Sequence, residues 1–260
     1  MSTHRYDRIW QPMDHDHNRL LFDGPSKNIV VSGPMGGGKS IAITAIRTHL
    51  SAYDVATHGT RQFSVSWASR GPRDGEVDGV DYKFNVPVEA FEPAIANGVL
   101  MEGVVHPGGA YGTPVPQPDT PMLYEFEVTG LKQILDHTHP DVVERFQGDF
   151  RAMYLVQAST AKLLEQMLGR NDGMPEEKKL ARACRYPGEL KFILDNDLPY
   201  HPVTNVNGKI DALQEAVLEV AASGILGSID TLREIRAFEN AYEEAMDTLN
   251  DEGLTPVFID

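Results

Sequence analysis

Asn28 to Ser32 is a short run rich in β-branched residues that ends at Gly33, and from Ile41 to Leu50 apolar residues recur at helical spacing. That succession predicts strand, loop and helix. Phe63 to Trp67 alternates as a strand does, Tyr82 to Phe84 predicts another strand, and Val88 to Asn97 predicts a short helix stopped by Gly98. Met122 to Val128 reads as a strand, Leu131 to Leu135 as the start of a helix, and Met153 to Gln157 as a buried strand bounded by polar residues. Thr160 to Leu168 is amphipathic, Gly169 to Pro175 gathers chain breakers, and Glu176 to Tyr186 is charged and favours helix. Ile210 to Leu249 holds two long helical patterns broken near Gly224 to Ser228. Strands alternating with helices imply an α/β fold: a parallel sheet flanked by helices on both faces.

Punctuation along the chain divides this pattern. Residues 1–27 are polar and end in a turn-like run, which predicts an N-terminal extension. Four prolines fall within residues 114–121, a stretch expected to be an exposed connection between two lobes. Residues 221–260 are expected to form a C-terminal helical extension, packed on the core or against a second copy in a homodimer. At 260 residues, the chain is long enough for one sizeable core with inserted lobes.

Composition narrows the partners. The formal net charge of −15 argues against broad contact with nucleic acid or an anionic membrane, so any phosphate site must be local. The only cysteine, Cys184, has no partner for an intrachain disulfide, and the first ten residues carry no apolar run. A cytoplasmic location is the expectation. Asp14 to His17, and His137 with His139, have metal-binding residue types without a complete spaced ligand set, and are expected to be polar surface.

The densest chemistry lies at Gly33-Pro34-Met35-Gly36-Gly37-Gly38-Lys39-Ser40, a complete G-x-x-x-x-G-K-S between a predicted strand and a predicted helix. Glycines let backbone N–H groups curl around the ATP phosphates, and the helix N-terminus adds partial positive charge. Lys39 is the candidate for the β/γ oxygens and Ser40 for Mg²⁺.

A second constellation holds Ser66, Arg70, Arg73, Gly75-Glu76, Gly79 and Asp81-Tyr82, followed by Glu102 and Tyr111-Gly112-Thr113. Two arginines and a tyrosine offer forked, charge-assisted donors to a phosphate dianion. A carboxylate at Glu102 is able to accept from both N1–H and the exocyclic amine of guanine. These residues resemble the guanylate kinase family, which carries S-x-x-x-R-x-P-R-x-G-E-x-x-G-x-D-Y and then a glutamate nine residues before Y-G-[ST]. The resemblance implies a P-loop NTPase-type sheet spanning residues 28–220, a β-rich acceptor lobe near 61–115 and a lid near 169–188. It further implies that Ser66, Arg70, Arg73, Tyr82 and Tyr111 grip the acceptor phosphate, while Glu102 and Thr113 read guanine.

The same resemblance covers the lid, where Arg170 and Arg182 bracket Glu176-Glu177 as in R-G-T-x-x-E-E-x-x-x-x-R, with one residue extra. It assigns both arginines to the ATP side and to catalysis, alongside Lys39 and Arg70, and Asn205 to the adenine pocket. Departures stand beside these matches. The family's D-x-D-x-Q-G is Glu125-Phe126-Glu127-Val128-Thr129-Gly130 here, which makes Glu125 a second candidate for the metal and Glu127 a candidate for the acceptor nucleotide. Gln166 stands where a second lid arginine is common. The implied reaction is transfer of the ATP γ-phosphoryl to GMP or dGMP, with Mg²⁺. Two alternatives accompany it: a kinase for a modified purine nucleotide, and an inactive binding module, which an intact phosphate loop disfavours.

Overall fold

The computed structural model describes residues 28–49, 62–72, 75–106, 109–117, 120–147, 150–169, 173–206, 208–222 and 231–259. The expected extension at 1–27, Arg73, Arg170 and the helix break near 224–228 lie outside the described residues.

Strand β1 (Asn28–Ser32) is buried along its whole length. It pairs in parallel with β7 (Met122–Glu125) on one side and β8 (Phe150–Gln157) on the other. β2 (Gln62–Phe63) and β9 (Tyr200–Asn205) complete a five-stranded sheet in the order β2-β7-β1-β8-β9. Side chains alternate between its faces, as the two-residue strand period requires. Ile29, Val31, Leu123, Met153 and Leu155 form one core layer with residues of α1 (Lys39–His49) and α7 (Ile210–Ala222). Val30, Tyr124, Ala152, Tyr154 and Val156 form the other, beneath α3 (Val128–Asp136), α4 (Thr160–Leu168), α6 (Tyr186–Asp195) and α8 (Thr231–Asp251). The expected parallel sheet with helices on both faces is the observed one.

The C-terminal helix belongs to this core. Phe238, Ala241, Ala245 and Leu249 of α8 recur every three or four residues and are buried against it. Glu244 accepts from the backbone N–H of Thr160 at 2.9 Å and from its hydroxyl at 2.5 Å, satisfying donors at the N-terminus of α4. Truncating Phe238 to alanine would cost about 3–5 kcal/mol.

A second sheet, ordered β4-β3-β6-β5, carries β3 (Ser66–Ala68), β4 (Tyr82–Lys83), β5 (Leu100–His106) and β6 (Gly109–Pro114). One of its faces packs on α2 (Phe91–Ala96) through Phe91, Ala94, Leu100, Ala110 and Trp67. Helix α2 ends at Gly98, whose φ of 65° suits a residue without a side chain.

Three expectations need correction. The alternating run Phe63 to Trp67 is two strands in two sheets, because the chain leaves β7 after Ser64 donates to Leu123 and pairs with β6 from Trp67 onward. The strand begun at Met122 stops at Glu125, since the carbonyl of Glu127 already accepts helical bonds from Gly130 and Leu131. The proline run is not a wholly exposed connection: Pro116 and Pro121 are buried, and Val115 donates to Val99. Beyond the breakers, α5 (Glu176–Ala183) leads after two residues into α6, so the expected lid ends inside a core helix.

Candidate active site

The phosphate loop leaves β1 and turns directly into α1. Gly36 at φ 79° and Gly38 at φ 95° occupy the left-handed region, which a side chain would strain. Gly37 donates to Pro34 at 2.9 Å, and its own carbonyl accepts from the amides of Asn205 at 2.9 Å and Gln157 at 3.3 Å. The loop is therefore braced from the ends of β8 and β9. Asn205, expected near adenine, is buried and spends this bond on the loop. Lys39 donates to the carbonyls of Gly33 at 2.9 Å and Pro34 at 3.1 Å, curled over the space that the loop encloses. Ser40 is exposed at the start of α1.

On the acceptor sheet, the face turned away from α2 gathers the predicted readers. Glu102 lies opposite Thr113 in the β5–β6 register, and Thr113 donates to its carboxylate at 2.6 Å. The Ser66 hydroxyl is 3.2 Å from that of Thr113. Glu102 is only 6% exposed, so the strands hold a carboxylate in a poorly solvated place, where the Thr113 hydroxyl donates to it. Helix α3 closes behind it: a Cβ on Gly130 would sit 3.1 Å from the Glu102 oxygen.

Arg70 anchors the other end of that face. It grips Glu76 with two bonds of 2.5 and 2.8 Å, donates through Nε to the Tyr111 hydroxyl at 3.0 Å, and donates to the Gly71 carbonyl at 2.9 Å. Its guanidinium also lies 5.3 Å from the centre of the Tyr82 ring. The Glu76 hydrogen bond raises the guanidinium's proton affinity further, so Arg70 is a fixed cation. Among the described residues four of its five N–H groups are occupied, which makes Arg70 a buttress of the tyrosines with one donor left toward a ligand.

The two halves meet at the end of β7. Glu125 reaches to 3.7 Å from the Lys39 ammonium. It also acts on the acceptor side, because burial first and the Glu125 charge second raise the pKa of the Tyr82 hydroxyl. Glu125 thus acts electrostatically on both the loop and the acceptor lobe. From the lid side, Arg182 rests on the loop with Nη1 3.1 Å from the Met35 sulfur. Glu127 meets Arg185 at 3.4 Å.

Spacing did not reveal three residues that complete the site: Gln157, Arg185 and Glu189. Gln157 carried a readable signal, a polar residue closing an apolar strand; the others sit among ordinary helix charges. Glu189 is half-buried and its carboxyl accepts from Tyr154 at 2.7 Å. Burial raises its pKa, while the Tyr154 bond and the charge of Lys39 pull it back. No cluster of three metal-binding side chains occurs among the described residues. His137 and His139 are half-buried, with His137 bonded to the Ile95 carbonyl at 3.1 Å.

Comparison with known proteins places the chain in a family. The guanylate kinase family model matches residues 25–197. Guanylate kinase of Streptomyces kasugaensis is 32% identical over 169 residues, covering 62% of this chain and 74% of that protein. Guanylate kinase of Gloeobacter violaceus is 35% identical over 211 residues, covering 79% and 88%. The crystal structure of guanylate kinase from Anaplasma phagocytophilum superposes with a TM-score of 0.50 at 17% identity, covering 83% of this chain and 95% of that one, a likeness of fold. The chain belongs to the guanylate kinase family.

Proposed function

We propose that the chain transfers the γ-phosphoryl of ATP to GMP or dGMP, giving ADP and the guanosine diphosphate. The observation that carries the reading is the buried Glu102 carboxylate, bonded to Thr113 on a lobe whose Tyr82 feels the same Glu125 charge that approaches Lys39. Guanine offers N1–H and an amine to that carboxylate, whereas adenine offers no such donor pair on that edge. The acceptor phosphate then falls to Arg70, Arg73, Tyr82, Tyr111 and Ser66, and Glu127 to the acceptor nucleotide.

On the donor side the loop amides from Gly33 to Ser40 surround the β-phosphate, and Lys39 exchanges its loop carbonyls for phosphate oxygens. Arg182 and Arg170 cover the ATP from the lid, and Asn205 serves it through the loop. The hydroxyl of Ser40 and the carboxylate of Glu125 are hard oxygen donors at the loop, which suits Mg²⁺ bound by one or two protein groups and the substrate phosphates. The ion, when bound, neutralises charge building up between the β- and γ-phosphates. The remaining work is positioning and exclusion of water, because phosphoryl transfer asks little covalent chemistry of the protein.

A cytoplasmic location is part of this reading; no helix of the described residues is long and apolar enough to cross a membrane. A homodimer through the C-terminal helices would need a surface other than the apolar face of α8, which lies on its own core. The test is ADP release with ATP, Mg²⁺ and each of GMP, dGMP, AMP, CMP, UMP and a base-modified dGMP. Turnover confined to guanine nucleotides is expected. No turnover of any would end the proposal, and preference for the modified base would move it to the alternative acceptor.

A further inference from the structure

The charges around the cleft differ in how firmly they are held. Arg70 is locked to Glu76 by two bonds of 2.5 and 2.8 Å. Arg185 makes only one side-chain polar contact among the described residues, a single Nη2 approach of 3.4 Å to Glu127. That is long for a charge-assisted bond. Its side chain is 30% exposed, so the guanidinium is neither fixed by a partner nor lost to bulk water.

Its place in the fold is specific. Arg185 precedes α6 by one residue and donates its backbone N–H to Arg182, which rests on the phosphate loop at Met35. Glu127, which it touches, follows Glu125 by two residues at the end of β7, and Glu125 approaches Lys39. The half-buried Glu189 carboxyl, bonded to Tyr154, feels the charges of Lys39, Glu127 and Arg185 together. Arg185 therefore stands between the donor loop and the acceptor-side carboxylate, with donors to spare.

Building on the proposed function, we propose that Arg185 is a further catalytic residue: it leaves Glu127 in the ternary complex and binds the oxygens of the phosphoryl group in flight. In that step an oxygen of the acceptor monophosphate forms a bond to the γ-phosphorus while the bond from the γ-phosphorus to the β–γ bridging oxygen breaks. ATP and GMP become ADP and GDP with no net proton change. The guanidinium donates to the equatorial oxygens, where negative charge is spread during transfer. A planar fork suits those oxygens better than a point charge does.

The test is single-turnover phosphoryl transfer in wild type, R185A, R185K and E127Q, with ATP and GMP affinities measured by calorimetry. R185A is expected to lower the transfer rate by about 100-fold or more while moving each affinity less than about threefold. R185K is expected to stay impaired, and added guanidinium ion to restore part of the R185A rate; neither follows if Arg185 only braces Glu127. Transfer by R185A within about twofold of wild type overturns the proposal, as does an E127Q variant that reproduces the whole R185A loss with no further loss in the double variant. Should R185A fail to fold, R185K decides by the same criterion. A wild-type chain inert toward GMP would instead overturn the proposed function.

Discussion

The donor loop and the acceptor lobe solve the same problem, holding a phosphate next to another phosphate, with different materials. The loop is eight consecutive residues whose backbone is proposed to do the binding, with far-off side chains such as Asn205 and Gln157 bracing it. The acceptor face draws its side chains from residues 66 to 113, brought together by four short strands and linked by hydroxyls and a carboxylate. A backbone site tolerates little change in conformation but much change in the side chains around it. A side-chain site has the opposite tolerance, and on the proposed reading base choice resides there.

Removing one material at a time breaks the comparison apart. The largest effect is expected from Lys39→Ala, which takes the ammonium from the loop: kcat should fall by about a thousandfold, with GMP affinity almost unchanged in calorimetry. Next comes Glu102→Gln, which leaves the loop intact and gives guanine an uncharged partner. Its kcat/KM for GMP should fall by about a hundredfold while ATP affinity holds. Equal damage to both ligands from either variant would mean that the two sites are not separable.

The smallest effect concerns the floor they share. Glu189 holds its proton more tightly folded than unfolded, because burial outweighs the Tyr154 bond and the charge of Lys39. Its contribution to stability is thus full below the ordinary carboxyl pKa and is lost as pH rises through the elevated folded value. Glu189→Gln should flatten that part of the Tm–pH curve in thermal melts from pH 4 to 8, while an unchanged curve would show that the carboxyl is not strained by burial.

What was readable in the chain follows the same division. The phosphate loop is legible because glycine positions and the strand–helix context are local properties of a few residues. The acceptor cluster is legible only as a joint spacing shared with a family, since Ser66 or Glu102 alone is an ordinary polar residue. The split of Phe63 to Trp67 between two sheets was hidden, because alternation shows that a segment is extended and not which neighbour it pairs with. Arg185 and Glu189 were hidden for a related reason: their meaning comes from Glu127 and Tyr154, residues 58 and 35 positions away.

If the loop and the acceptor lobe work together, one cleft holds both nucleotides with their phosphates facing each other. Calorimetry with a bisubstrate analogue, adenosine and guanosine joined through a pentaphosphate, tests it most directly. One analogue per chain is expected, bound at least about tenfold tighter than ATP or GMP alone, as linking two engaged sites requires. Two analogues per chain, or an affinity no better than that of the separate nucleotides, would contradict it.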